Sequence, residues 1–137
     1  MKGIYCLHLK IGKKIGMKVG SLGFVYFPKG NYIYVGSAQN SLEKRILRHF
    51  SKSKKIRWHI DYLLKSRWVK IKKVFYKIAD KSEECKTATL LFKFGTAIKK
   101  FGCSDCKCFS HLFKIENKIV EFLLKKGFKE FNFQKRI

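Results

Sequence analysis

Two tyrosines, an arginine and a histidine recur at spacings that can bring them together. Gly3-Ile4-Tyr5 lies near the amino terminus, Tyr34-Val35-Gly36 runs on into Ser37-Ala38, and Arg45 and His49 follow one helical turn apart. Hydrolysis of a phosphodiester needs a water held near a base, a cation against the phosphoryl oxygens, and usually a metal ion for the leaving oxygen. Arg45 suits the second task, because a guanidinium fork matches phosphate oxygens bidentately. A tyrosine hydroxyl can hold the attacking water or, with help from a base such as His49, deprotonate it. The same spacing also fits a plainer reading, in which Tyr5 and Tyr34 are ordinary sheet aromatics and Arg45 is a solvated cation.

The elements that must position these side chains follow from pattern. Gly3 to Ile11 is rich in β-branched, aromatic and leucine residues and closes on Gly12-Lys13-Lys14, so it reads as a strand and turn. Ile15 to Val19 and Phe24 to Phe27 read as two further short strands. Asn31 to Ser37 is another, with Tyr32, Tyr34 and Gly36 on one face and Ile33 and Val35 on the other. From Leu42 the period changes: Leu42, Ile46 and Phe50 recur every four residues and Ser41 can cap the amino end, which predicts an amphipathic helix. On that helix Lys44 and Arg48 lie opposite the apolar stripe, and Arg45 and His49 lie at its edge. A second helix is expected over Ile56 to Lys65, a strand over Val69 to Ala79, and a third helix from Asp80-Lys81-Ser82-Glu83-Glu84 to about Phe101, stopped by Gly102. A strand at His111 to Ile115, a helix at Glu116 to Lys126 and a strand at Phe128 to Phe133 complete the chain. The expected fold is a single α+β (mixed α/β) domain over residues 1–137, with a mostly antiparallel central sheet flanked by helices.

Composition bounds the partner. The 137 residues carry 32 lysines and arginines against 9 acidic residues, a net charge of +23, far more than solubility requires, so a polyanion is expected. The lysines are spread along the chain and do not cluster beside an apolar anchor, which favours nucleic acid over a membrane surface; a solvated lysine-rich surface would dilute this inference without reversing it. No apolar run approaches the roughly 18 residues of a membrane span and no signal peptide is recognisable, so a cytoplasmic location is expected. Five cysteines, an odd number, do not suggest a secreted disulfide framework; reduced thiols or a metal site are expected.

The signature segments resemble the GIY-YIG nuclease superfamily: Gly3-Ile4-Tyr5, then Tyr34-Val35-Gly36-Ser37-Ala38, then Glu43-Lys44-Arg45 and Arg48-His49-Phe50. More narrowly, the chain is similar to an archaeal subgroup of such domains sometimes joined to a DNA repair glycosylase. The segments that carry this are Gly30 to Ala38, Trp58-His59-Ile60-Asp61-Tyr62-Leu63-Leu64, Ser82-Glu83-Glu84-Cys85, and Phe101-Gly102-Cys103-Ser104-Asp105-Cys106-Lys107-Cys108-Phe109-Ser110-His111-Leu112-Phe113. The resemblance implies a metal-dependent DNA endonuclease working in repair or processing, possible association with a repair enzyme included. Tyr5 and Tyr34 would flank the attacked phosphate, with His49 helping one of them to activate water. Arg45 would stabilise the transition state, Gly36 would let the backbone approach, and Ser37, Arg48, Trp58 and His59 would contact substrate. A glutamate on the third helix would hold a divalent cation, most plausibly Mg²⁺.

Two departures from that pattern bear on function. Gly12 to Asn31 inserts about twenty residues with strand character between the signature strands, expected to form an extra hairpin that leaves Tyr5 and Tyr34 adjacent. At the position where much of the family carries its metal-binding glutamate, Ala88-Thr89-Leu90-Leu91 is followed by Phe92. Glu84, with Glu83 as a less favoured neighbour, lies eight residues earlier, roughly 12 Å along a helix, and replaces that ligand only if the helix enters the site end-on; otherwise both carboxylates simply complement the helix dipole. A catalytically reduced nucleic-acid-binding module and an RNA-directed nuclease are the competing functions. Trp58 and Tyr62 could stack on bases or pack, and His59 and Asp61 could face the site. Cys103, Cys106, Cys108 and His111 form a Cys-x-x-Cys-x-Cys-x-x-His series with the chemistry of a zinc site, although ligands this close would all come from one tight loop.

Overall fold

The structure is a computed structural model describing residues 1–51, 54–103, 108–116 and 118–132. Strand β1 (Gly3–Ile11) sits at the centre of a six-stranded sheet, paired antiparallel on one side with β4 (Gly30–Ala38) and on the other with β5 (Val69–Lys77). Outside β4 lie β7 (Leu112–Ile115) and then the two-residue strand β6 (Thr96–Ala97), while β8 (Lys129–Glu130) borders β5. Every pairing is antiparallel. The expected α+β architecture with helices flanking a mostly antiparallel sheet is therefore present.

Alternation along the central strands builds two cores. Tyr5, Leu7, Leu9, Tyr32 and Tyr34 face helices α1 (Leu42–Arg48) and α2 (His59–Leu64), meeting Leu42, Ile46, Ile60 and Leu63. Ile4, Cys6, Ile33, Val35 and Phe75 point the other way, against Ala88 and Leu91 of α3 (Ser82–Leu91) and Ile119 and Leu123 of α4 (Ile119–Lys125). Cover on both faces explains why β1 reads as a nearly continuous apolar run.

The inserted segment forms a hairpin of its own, β2 (Ile15–Lys18) with β3 (Phe24–Phe27), outside the main sheet. It loops out as expected, and β1 and β4 pair along their full length, with Tyr5 opposite Gly36 and Leu7 opposite Tyr34.

Helices α2, α3 and α4 are each shorter than the sequence reading, and β5 and β8 end early, at Lys77 and Glu130. Helix α2 begins at His59, three residues after the expected start, because Asp61 reaches back to accept from the backbone N–H groups of Arg57 and Trp58 at 2.9 and 3.1 Å and so caps the helix there. Helix α3 ends at Leu91, about ten residues short of the expected Phe101. Gly95 marks the turn: a Cβ there would run into the Lys114 carbonyl, so the chain passes close against β7 before β6 forms. Helix α4 starts at Ile119 and not at Glu116. Phe133, the expected end of the last strand, lies outside the described residues.

Candidate active site

The strand register explains the first half of the site. Tyr5 on β1 faces Gly36 on β4, and a Cβ at Gly36 would sit 2.5 Å from both Cζ and Oη of the Tyr5 ring. Gly36 thus makes room for the tyrosine, where the sequence had suggested room for substrate. Gly3 serves packing in the same way, since a side chain there would strike the Lys77 carbonyl and Leu42. The Tyr5 and Tyr34 rings lie 6.5 Å apart on one face of the sheet.

Helix α1 supplies the second half. Ser41 caps it by accepting from the Lys44 N–H, and the helix then carries Arg45 and His49 towards the tyrosines. His49 Nε2 lies 2.6 Å from Tyr5 Oη, a buried hydrogen bond, and the other ring nitrogen, Nδ1, is buried with no hydrogen-bond partner. Arg45 donates to the Ser37 carbonyl at 2.9 Å, and its guanidinium lies 4.4 Å from the centre of the Trp58 ring. A cavity of about 310 Å³ opens in front of them, with Tyr5, Tyr34, Gly36, Arg45, Glu84 and His111 in its wall and His49 behind Tyr5.

Glu84 reaches this cavity because the first turn of α3 meets it while later turns of the same helix cover the opposite face of the sheet. Lys81 lines the cavity beside it, Ala88 and Leu91 are buried in the second core, and Phe92 is half exposed elsewhere, edge-on to Phe109. The amino-terminal end of the helix therefore meets the cavity, with Glu84 in its wall and Phe92 outside it. Glu83 instead lies near Lys86 on the outside of the helix.

Burial sets the protonation states. It drives the Tyr5 phenol well above its usual value although the Arg45 guanidinium pulls the other way, and it does the same to Tyr34, reinforced by Tyr5. It lowers His49 to about 3, with Lys54, Arg48 and Arg45 adding to the effect and Asp61 opposing it. Both phenols and the imidazole are neutral at ordinary pH. Tyr5 Oη thus meets a neutral imidazole at His49 Nε2, which accepts from the phenol in the tautomer that carries its proton on Nδ1.

Four of the residues assigned to substrate by sequence have partners within the protein. Arg48 forms a two-point ion pair with Asp61, 3.0 Å to Oδ1 and 3.1 Å to Oδ2, and also donates to the Lys55 carbonyl. Burial pushes the Asp61 carboxyl up, but hydrogen bonds from Arg48 and from the Arg57 and Trp58 backbone outweigh it and hold the group below its usual range. Trp58 lies between the two guanidinium groups, 4.4 Å from each, and forms part of the cavity wall. His59 Nδ1 accepts from the Gly102 N–H at 2.9 Å and its ring packs on Phe101, fixing the loop that closes the cavity. Ser37 presents its carbonyl to Arg45.

The cysteine series is divided. Cys106 and Asp105 lie outside the described residues. The Cys103 thiol lies 3.6 Å from the Phe101 carbonyl. Cys108 and His111 come together, but with Cys85 of α3, which the sequence series did not include: Cys85 and Cys108 form a disulfide, contrary to the expectation of reduced thiols, and Cys85 Sγ lies 3.9 Å from His111 Nε2. The Glu84-Cys85 dipeptide was the available signal, because a helix that brings Glu84 to the cavity brings its neighbour as well.

Among the described residues no helix is long and apolar enough to cross a membrane. Comparison with curated proteins and with solved structures finds no match to the chain. The family model described as "Domain of unknown function DUF123" matches residues 4–132, which contain every residue of the cavity wall named above, and the chain belongs to that family.

Proposed function

We propose that this protein is a divalent-metal-dependent phosphodiesterase of the GIY-YIG type that cleaves nucleic acid, DNA in preference. The observation that carries the reading is the meeting of Tyr5, Tyr34, Arg45 and Glu84 on one cavity, with His49 hydrogen-bonded behind Tyr5. A net charge of +23 supplies the attraction for a polyanion. DNA repair or processing is the setting that the resemblance to repair-associated domains favours.

In this mechanism a water near Tyr5 gives its proton to the Tyr5 oxygen as Tyr5 passes its own proton to His49 Nε2. The phenol is neutral before and after, so its raised pKa does not bar it. His49 gains the charge; Asp61 favours it, burial and the charges of Lys54, Arg48 and Arg45 oppose it, and the anionic phosphodiester would offset that opposition. Hydroxide adds at phosphorus opposite the leaving oxygen, and Arg45 neutralises charge on the phosphoryl oxygens from a guanidinium pre-aligned by Ser37 and Trp58. Arg48 and Asp61 act as positioning residues by fixing α1 against α2. Glu84, a carboxylate with 12% of its surface exposed at the cavity, fits a hard cation that takes its remaining ligands from water and phosphate oxygens, and Mg²⁺ is the ion of that preference. The bound cation would stabilise the leaving oxygen.

The hairpin offers an outer contact. Phe24 and Tyr26 are more than 60% exposed and pack edge to face on each other, with the Lys14 ammonium 5.6 Å from the Tyr26 ring. Exposed aromatics among lysines suit stacking on unpaired bases.

The test is a Mg²⁺-dependent nicking assay on duplex, branched, single-stranded and damaged DNA, with structured RNA as competitor at matched salt. Cleavage that is abolished by Arg45→Ala and by Glu84→Gln while binding persists supports the reading. Binding without cleavage under Mg²⁺, Mn²⁺ and Ca²⁺ refutes it and leaves a binding module of the same fold.

A further inference from the structure

Directly behind the cavity, three soft or borderline donors converge. The sulfurs of Cys85 and Cys108 and a ring nitrogen of His111 all lie within 4.8 Å of one another. We infer that Cys85, Cys108 and His111 form a zinc site that opens when the Cys85–Cys108 disulfide is reduced, and that occupancy of this site orients Glu84 through the His111 ring.

The geometry suits the ion. Zn–S and Zn–N bonds of about 2.3 and 2.0 Å in a tetrahedral arrangement place ligand atoms roughly 3.5–3.8 Å apart, and Cys85 Sγ stands 3.9 Å from His111 Nε2. A Cα–Cα separation of 6.1 Å between the cysteines lets one backbone serve both states, since it falls within the range for a disulfide and leaves the two thiolates able to share an ion. Thiolate with imidazole is a donor set that selects zinc over the hard cations suited to Glu84.

The scaffold is rigid on the histidine side. His111 is buried, its N–H is bonded to the Phe101 carbonyl at 2.8 Å, and its carbonyl accepts from Val35 at 2.9 Å. Its second ring nitrogen, Nδ1, faces Glu84 Oε2 at 3.9 Å. Drawn in from 3.9 Å to hydrogen-bond distance, that carboxylate would hold a ligating imidazole in the tautomer with its lone pair towards the metal, as in the carboxylate–histidine–zinc arrangement. Glu84 therefore stands between two roles, on the cavity with one side and on His111 with the other. Among the described residues these three donors converge, which leaves the fourth tetrahedral position to a further ligand.

Opening the pair consumes two electrons and two protons. A dithiol supplies them and leaves as its own disulfide; a phosphine supplies them with water and leaves as the oxide. Zn²⁺ then displaces the two thiol protons and takes the sulfur lone pairs.

The zinc site does not depend on the protein being a nuclease, so it is tested without nucleic acid. The full chain is reduced with a phosphine under anaerobic conditions, stripped of metal and titrated with Zn²⁺ against a chromogenic chelator, and with Co²⁺ to read sulfur-to-cobalt charge transfer. One equivalent per chain, a rise in Tm with Zn²⁺, and neither effect in the oxidised protein are expected. Cys85→Ser and His111→Gln should abolish the charge-transfer signal or the tight site, Cys103→Ser should keep both, and Glu84→Gln should weaken zinc by about 10- to 100-fold, the usual cost of losing an outer partner. Far-UV circular dichroism identifies variants that fail to fold. Absence of tight zinc from the folded reduced protein overturns the inference, as does zinc that survives Cys85→Ser but not Cys103→Ser.

Discussion

Replacing His49 with glutamine removes one titratable group from the interior while keeping a polar atom within reach of the Tyr5 hydroxyl. His49 is 2% exposed and its pKa falls from 6.5 to about 3 on folding, chiefly through burial. The folded protein keeps the ring neutral over a range in which the unfolded chain protonates it. Stability linked to His49 is thus complete above pH 6.5 and is lost as the pH falls towards 3. At about 1.36 kcal/mol per unit, the full loss is on the order of 5 kcal/mol, of which about 2 kcal/mol is gone by pH 5. His8 and His59 are also lowered, by burial first, and act in the same direction; Asp61, held below its usual range, adds its loss at still lower pH. Comparison with the variant isolates His49 from these. Urea unfolding of wild type and His49→Gln at pH 7.5, 6 and 5, at constant ionic strength, should show the wild type losing about 2 kcal/mol more than the variant over that interval. Parallel curves would refute the buried neutral imidazole, and with it the acceptor for the Tyr5 proton.

Further measurements separate the roles of neighbouring residues. Gly36→Ala should cost about 1–3 kcal/mol, as overpacking does, because its Cβ collides with the Tyr5 ring, and should also impair cleavage by moving that ring off His49; chemical denaturation and nicking rates read the two effects. Arg48→Ala should destabilise by about 3–5 kcal/mol by stranding the buried Asp61, whereas Arg45→Ala should leave the urea midpoint nearly unchanged and lower the cleavage rate by about 10²–10³. Phe24→Ala with Tyr26→Ala should leave stability within about 1 kcal/mol, since both rings are exposed, yet weaken single-stranded DNA by about 1–3 kcal/mol for each base that stacks, measured by fluorescence anisotropy. Equal affinity in that double variant would remove the hairpin from the substrate contact.

What the sequence made legible follows the length and regularity of each signal. Strand β1, its pairing with β4, the out-looped hairpin and the start of α1 rest on alternation, on Gly12 and Gly30 at strand ends and on the Ser41 cap, all local in the chain. The sequence reading stops α3 at Gly102, whereas the chain already turns at Gly95. Only the close approach of Lys114, nineteen positions further on, decides it. The ranking of site residues was harder still, for Arg45 and Arg48 are alike in type and three positions apart on one helix. What separates them is Asp61: its Oδ2 accepts from two backbone N–H groups at the start of α2, and Oδ1 and Oδ2 together take the guanidinium of Arg48.

The same logic bears on Phe92. Read along the chain, a phenylalanine at the position where the resemblance places a carboxylate suggests a lost site; in space, the amino-terminal turn of α3 meets the cavity and brings the Glu84 carboxylate to its wall. An acid at the start of a helix is also favoured by the helix dipole, so the residue type alone could not distinguish a cap from a ligand. Its neighbours do. A cap needs only the helix amino terminus, whereas Glu84 is turned towards His111 and shares the cavity wall with Tyr5, Tyr34 and Arg45, the placement expected of a carboxylate that serves a cation beside the attacked phosphate.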